Sequence, residues 1–361
     1  ALKKVSMTTG VQGGLESVSL VDGTVVVDDA TGSFSARVSE FEKPKASFDI
    51  ELDRIDVDRY LPPKKKEKAE KKEKAPPAGR EKKKKKDYGP LRKLVLDGKA
   101  KVGELKAAGV KMKDVRLTVS AKDGVIRVDP LALSLYGGDV AAGVGLDVRT
   151  DTPKTDLQFG VEQLAVNAFL NDLLQKDFLE GATSAKIDLS FAGDSAAAIV
   201  KSLSGGGKLA VTDGAIKGVD LTSMARNIQS AFGAGAKGAE KPRTEFSELV
   251  VPFSIKNGVA TTPGTVLRSS FMWFKAAGKA DLVDRALELR LDPRLTGSAE
   301  EKGKAAKGSG LTVPILVQGS FSSLKFTPDL EGAVKEKVKE FTSPEGLQKL
   351  LPSGKKEKKS K

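Results

Sequence analysis

The sequence contains no cysteine and no histidine, and only 5% of its residues are aromatic. Without cysteine there are no disulfides, thiolate nucleophiles or cysteine-ligated zinc and iron–sulfur centres. That absence fits an oxidising compartment without requiring one. Without histidine there is no Ser-His-Asp or Cys-His system, no HExxH zinc site, and no imidazole base near neutral pH. Paired carboxylates could still do acid–base work, but the acids are scattered along strand-like segments and loop edges without a cluster. No G-x-x-x-x-G-K-[ST] occurs, and Gly137–Gly138 and Gly205–Gly207 lack the context of a dinucleotide fingerprint. No catalytic residue, metal site or cofactor is expected. Long apolar runs are missing too: none approaches the ~20 residues of a membrane-spanning helix. No signal-like segment opens the chain at Ala1, so we expect either a soluble protein or an anchor lying upstream.

Positive charge is abundant but local. Residues 62–87, PPKKKEKAEKKEKAPPAGREKKKKKD, carry 13 Lys or Arg against five acids, and the tail PSGKKEKKSK adds five Lys against one Glu. These two stretches account for +12 of the net +13, so the remaining body is almost neutral. A phosphate-tracking groove needs basic charge within the folded part and interleaved aromatics. The lysine runs have neither, apart from Tyr88 at the border, and nucleic acid is not expected as a partner. Segments this polar cannot bury enough apolar surface to offset their ordering entropy, and read as a solvated linker and tail. Contact with anionic lipid headgroups is their alternative role.

Between Gly10 and Pro328 the dominant pattern is alternation. ASFDIELD puts Phe48, Ile50 and Leu52 on one face and Asp49, Glu51 and Asp53 on the other, the period of a half-exposed strand. The same period continues through Val115–Val119, Ile126–Val128, Leu131–Leu135, Val140–Val148, Leu157–Val161, Ala185–Phe191, Leu249–Ile255, Met272–Leu282 and Leu287–Leu291, with Val313–Val317 as the last clear strand. Gly, Asp and Asn turns between these runs predict an antiparallel meander, and Asn257-Gly258 is the strongest hairpin signal. Asp-Gly recurs as a turn signal at Asp22-Gly23, Asp123-Gly124 and Asp213-Gly214. Helical spacing is rarer. It predicts helices in QLAVNAFLNDLLQ (Leu164, Ala168, Leu170, Leu173, Leu174), in DSAAAIVKSL before a Gly205-Gly206 stop, in GVDLTSMARNIQSAFGAG and in DLEGAVKEKVKEF. About a dozen one-sided strands and about four short helices leave an apolar face to cover, by a sandwich, a closed barrel, or a lipophilic cargo on an open sheet.

Several stretches resemble the C-terminal region of the bacterial AsmA family. They are FDIELDRIDVDRYLPP, then LRKLVLDGKAKVGELKAAGVKMKDVRLTVSAKDGVIRVDPLALSLYGGDV, LSGGGKLAVTDGAIKGVDLTSMARNI, TEFSELVVPFSIKNGVATTPGTVLRSSFMWFKAAGKADL and LTVPILVQGSFSSLKFTPDL. The resemblance covers roughly residues 10–342 apart from the lysine-rich insertion, and rests on Leu-Tyr-Gly-Gly, Asp-Gly-x-Ile-x-Gly-Val-Asp-Leu and Asn-Gly-Val-Ala in that order. It implies a mainly β fold: a long, curved antiparallel sheet forming an open apolar groove with a few short amphipathic helices. The expected organisation is a groove segment at 1–61, the insertion at 62–89, an AsmA-like C-terminal domain at 90–342 and a flexible tail at 343–361. The resemblance also implies a non-enzymatic, periplasmic role in phospholipid traffic and outer-membrane biogenesis, with an inner-membrane anchor upstream of this chain. Expected partners are phospholipid acyl chains, the inner membrane through that anchor, and outer-membrane assembly proteins. An assembly factor acting through protein contacts alone is the alternative. Candidate groove residues are Leu117, Leu133, Leu135, Val144, Leu146, Phe159, Leu189, Phe191, Phe253, Ile255, Leu287 and Leu289, although for each taken singly ordinary core is the more common role. Leu221, Met224, Ile228 and Phe232, spaced by 3, 4 and 4, could line a lid helix or simply pack on the sheet edge.

Overall fold

The computed structural model describes residues 4–42, 44–60, 86–221, 242–270, 272–295, 313–329 and 331–332. The fold is mainly β, antiparallel and open, with few short helices, as expected. The chain divides into two units, Ala1–Thr212 with Ser254–Gly258, and Asp213–Phe253 with Val259–Lys361.

The first unit is built from β1 (Val5–Gly13), β2 (Ser17–Val27), β3 (Ala30–Ser39), β4 (Lys45–Asp56), β5 (Val95–Ala107), β6 (Val110–Lys122), β7 (Val125–Leu135), β8 (Gly138–Asp147), β9 (Lys154–Ala165) and β10 (Leu179–Ala192), and β11 (Ser204–Lys217) begins in it. Each strand from β1 to β9 pairs with its successor in sequence, through short connections except at β4–β5 and at β9–β10, where α2 intervenes. Among the described residues of this unit three α-helices punctuate the order: α1 (Gly89–Lys93), α2 (Val166–Leu174) and α3 (Ala196–Ser202). Ser195 caps α3 by accepting the Ala198 N–H.

One pairing departs from the expected meander: β4 and β5 run parallel, Lys45 opposite Val95 and Asp56 opposite Lys106. Parallel neighbours need a crossover of a dozen or more residues. The lysine-rich stretch falls within that crossover, so it belongs to a return connection rather than a hairpin loop. The visible ends of the connection are tied down. A 3-10 turn at Val57–Arg59 follows β4, and the Asp58 carboxylate accepts the Ala108 and Gly109 N–H groups. At the other end Tyr88 donates to Asp194, and Arg92 donates to the Val148 carbonyl and to Asp151.

Other expectations need correcting. Asp123-Gly124 is a two-residue hairpin turn with both φ angles positive, and so is Asn257-Gly258. Asp22-Gly23 and Asp213-Gly214 are not turns. They lie inside β2 and β11, and at Asp22 the left-handed residue makes a bulge that shifts the register to β3. Gly205–Gly207 do not stop a helix: α3 ends before them and they open β11. A Cβ at Gly205 would stand 2.1 Å from the Asp188 carbonyl oxygen, and one at Gly207 2.4 Å from that of Lys186, so β11 approaches β10 only as glycine. Leu164 belongs to β9 rather than to the following helix.

The second unit contains β12 (Arg243–Lys256, up to Phe253), β13 (Val259–Arg268), β14 (Met272–Asp281), β15 (Ala286–Leu295), β16 (Ile315–Ser320) and β17 (Ser323–Pro328). The sequence pattern missed β17, because SLKFTP offers only two large apolar positions. From β13 onward the pairing is antiparallel and sequential. This unit has a sealed core: Phe274 is 0% exposed and Met272 1%, with Phe246, Leu267, Ile315 and Val317 also buried.

Candidate functional site

In the first unit, register aligns the apolar positions of successive strands into rows on one face. One row runs Leu20, Ala36, Phe48, Gly98, Val119, Val128, Val144, Leu157, Leu189 across β2 to β10. The next runs Gly23, Phe34, Ile50, Ala100, Leu117, Leu131, Ala142, Phe159, Ile187. A third runs from Val18 and Val38 through Ala46, Leu96, Ala121, Ile126 and Leu146 to Thr155 and Phe191. No titratable residue occurs in these rows. The intervening positions make the opposite face, for example Ser35, Asp49, Lys99 and Thr118 in one register line. Glycine keeps the apolar face continuous: a Cβ at Gly98 would stand 2.3 Å from the Phe48 ring, which lies across β5.

Accessibility separates this face from a core. Most of its large side chains are half-buried rather than sealed. At strand spacings of ~4.8 Å and ~3.3 Å per residue, three rows across nine strands cover on the order of 900 Å². Large apolar patches on ordinary monomers reach only ~300–600 Å². A face of that size left partly accessible is larger than the apolar patches that ordinary monomers expose.

Seven of the twelve groove candidates share this face and are half-buried: Leu117, Leu133, Val144, Leu146, Phe159, Leu189 and Phe191. Leu135, two residues beyond Leu133 on the same strand face, is 8% exposed in a closed cluster with Val110, Val140, Val161, Leu164 and Ala185, against which Leu133 and Phe159 pack. Phe253 and Ile255 are half-buried on β12, and Leu287 and Leu289 half-buried on β15, opposite Ala280 and Gly278. Of the lid candidates, Leu221 is 4% exposed, and its N–H donates to the Thr244 hydroxyl, which donates to the Val219 carbonyl. Met224, Ile228 and Phe232 lie outside the described residues. The candidates omitted the β2–β4 part of the face, including Phe34, Phe48 and Ile50. The alternation in ASFDIELD was the signal that could have included it.

At the end of the face where β5 turns into β6, α2 closes over the cluster. Phe169 packs against it and meets the Tyr136 ring edge-on at 6.3 Å between centroids. Tyr136 donates to the Asp172 carboxylate and accepts the Lys111 N–H. Burial first, and the Asp172 contact second, raise the Tyr136 hydroxyl above its ordinary pKa. Among the described residues no group of three or more His, Cys, Asp or Glu could hold a metal ion, and no helix is long and apolar enough to cross a membrane.

Residues 11–265 match the AsmA family model. The chain belongs to the AsmA family. It is 20% identical over 329 residues to Protein AsmA of Escherichia coli (strain K12), covering 88% of this chain and 53% of that one. It is 23% identical over 216 residues to AsmA family protein YhjG of the same strain, covering 59% and 29% respectively. The chain therefore spans about half the length of Protein AsmA. No solved structure matches it. The AsmA match takes in all of β2 to β10, so the half-accessible face lies wholly within it, whereas Leu287 and Leu289 fall beyond it.

Proposed function

We propose that this AsmA-family chain holds phospholipid acyl chains against the apolar face of β2 to β10. On this reading it conducts them through the periplasm between inner and outer membrane, in support of outer-membrane biogenesis. The observation that carries the reading is the run of half-accessible apolar rows across nine strands. Each buried methylene contributes ~0.8 kcal/mol. Ten methylenes at half burial therefore give about 4 kcal/mol, a millimolar hold. Many small, equivalent increments with no fixed polar anchor suit a chain that slides rather than one that is locked. The absence of charge from the rows makes the hold tolerant of lipid species. Periplasmic placement and an inner-membrane anchor follow from the family resemblance and belong to this proposal. Native mass spectrometry with lipid extraction tests it: phospholipid above trace stoichiometry is expected, and a lipid-free folded protein would overturn it.

One observation favours a second reading, assembly through protein contacts. Along β1 the apolar side chains Val5, Met7 and Val11 are 56–68% exposed. Such an edge can accept a partner strand by β-augmentation. That reading expects a stoichiometric protein partner and no lipid.

A further inference from the structure

Leu170, Leu173 and Leu174 lie at helical spacing in α2, yet Leu173 is 40% exposed and Leu174 51%, and Phe178 just beyond the helix is 46% exposed. The fold holds them there. The helix ends at Gln175 in a left-handed conformation, its N–H bonded to the Asn171 carbonyl. The preceding Asp172 is held by its carboxylate, which accepts the Tyr136 hydroxyl, and its carbonyl lies close over Gly109. The three apolar side chains thus project from an anchored tip, not from a frayed end.

Positive charge gathers at the same end. The β4 terminus and the β5–β6 turn border a concavity of about 340 Å³ that Arg54, Lys106, Lys111 and Lys113 share with Asp29, Asp56 and Glu104. Two of these carboxylates are already engaged, Asp29 by Arg59, and Asp56 by both Arg59 and Lys106. Lys111 and Lys113 are exposed and make no ion pair within 4 Å among the described residues, although Glu104 stands opposite Lys113 across the β5–β6 register, and the Lys111 backbone N–H donates to the same Tyr136 hydroxyl that holds Asp172. The strand that carries the lysines and the helix that carries the apolar tip are therefore joined through one hydroxyl.

We infer that the α2 tip and the adjoining lysines form a docking surface for an anionic phospholipid bilayer. Leu173, Leu174 and Phe178 enter the acyl boundary while Lys111 and Lys113 meet headgroup phosphates. Two observations select a bilayer as the occupant. Cations beside an apolar tip complement anionic headgroups above acyl chains. The tip is also continuous, through Phe169 and the cluster it covers, with Leu133 and Phe159 of the lipid-bearing face. The inference rests on the lipid-holding reading and gives it a port at this end of the face.

The test is flotation of the full chain with vesicles of phosphatidylcholine alone and of equal parts phosphatidylcholine and phosphatidylglycerol. Wild type is expected to bind the anionic vesicles and to lose binding as salt rises. The L173S/L174S/F178S variant is expected to lose at least about tenfold in binding, and K111E/K113E to lose binding to the anionic vesicles selectively. The altered side chains are all outside the sealed cluster, so circular dichroism and melting temperature should match wild type. Unchanged binding by either folded variant overturns the inference. So does a wild-type dimer that the apolar variant converts to monomer, because the occupant is then a second copy. Phospholipid co-purifying with each variant separates the two proposals. Docking variants should keep their bound lipid, and patch-dependent vesicle binding by a protein that never carries lipid would sink the holding reading while leaving the docking surface standing.

Discussion

Replacing Val144 with glutamate tests whether the apolar rows are an open face or a closed core. Val144 lies mid-row on β8 between Val128 and Leu157 and is half-buried. A carboxylate there keeps access to water, so the loss of stability is limited to about half the value of a buried valine, ~1 kcal/mol. Two or three methylenes of a bound chain, at half burial, lose their contact, ~1 kcal/mol or roughly a fivefold drop in lipid affinity. Leu135→Glu is the internal control, because Leu135 is 8% exposed in the closed cluster. An unpaired buried charge there costs ~3–5 kcal/mol. Urea denaturation measures the first quantity, and phospholipid recovered per mole of protein by mass spectrometry the second. The expected result is a folded Val144→Glu protein depleted of lipid beside a severely destabilised Leu135→Glu protein. If both variants unfold alike, the face is sealed and the lipid argument fails. If Val144→Glu retains full lipid occupancy, acyl chains do not lie along this row.

Three further predictions concern the frame around the face. Asp58→Ala strips the acceptor from the Ala108 and Gly109 N–H groups at the β5–β6 turn, and melting should report a loss of ~1–2 kcal/mol. Residues 61–85 should tolerate replacement by Gly and Ser at equal length but not removal. The parallel register makes the chain travel back about 36 Å from the end of β4 to the start of β5. With those residues deleted, the few that remain must run mostly extended, so the turn at Val57–Arg59, α1 or the Tyr88–Asp194 contact must give way, and a deletion protein with unchanged stability would contradict the crossover. The Arg149 guanidinium, with the Arg149 N–H, lowers the Asp147 carboxyl from 3.8 to about 2. A depressed pKa means its contribution is fully present above pH ~4 and lost as pH falls through about 2. Carboxyl NMR should place the midpoint near 2 in wild type, moving back towards the ordinary value in Arg149→Ala, and an unmoved midpoint would exclude Arg149 as the cause.

The sequence by itself determined the strands, because a half-covered strand must alternate. ASFDIELD became β4, and Asn257-Gly258 became the turn between β12 and β13 because both of its residues adopt positive φ at low cost. It also determined that the net basic charge is concentrated in residues 62–87 and in the last ten residues, and it carried the family resemblance on which the lipid reading first stood. Local signals failed where their meaning depended on a neighbour. Asp22-Gly23 has the composition of a turn, yet it bulges within β2 because β1 and β3 continue past it on either side. Gly205–Gly207 look like a helix stop until β10 is found lying against them. The parallel step between β4 and β5 had no local signature, since pairing direction depends on where the crossover delivers the chain. Periodicity likewise treats Leu135 and Val144 as equals. Only tertiary structure separates them: α2 and its neighbours close over the cluster around Leu135, while the Val144 row is left half-accessible, because burial depends on what lies above a face and alternation records only that a face exists.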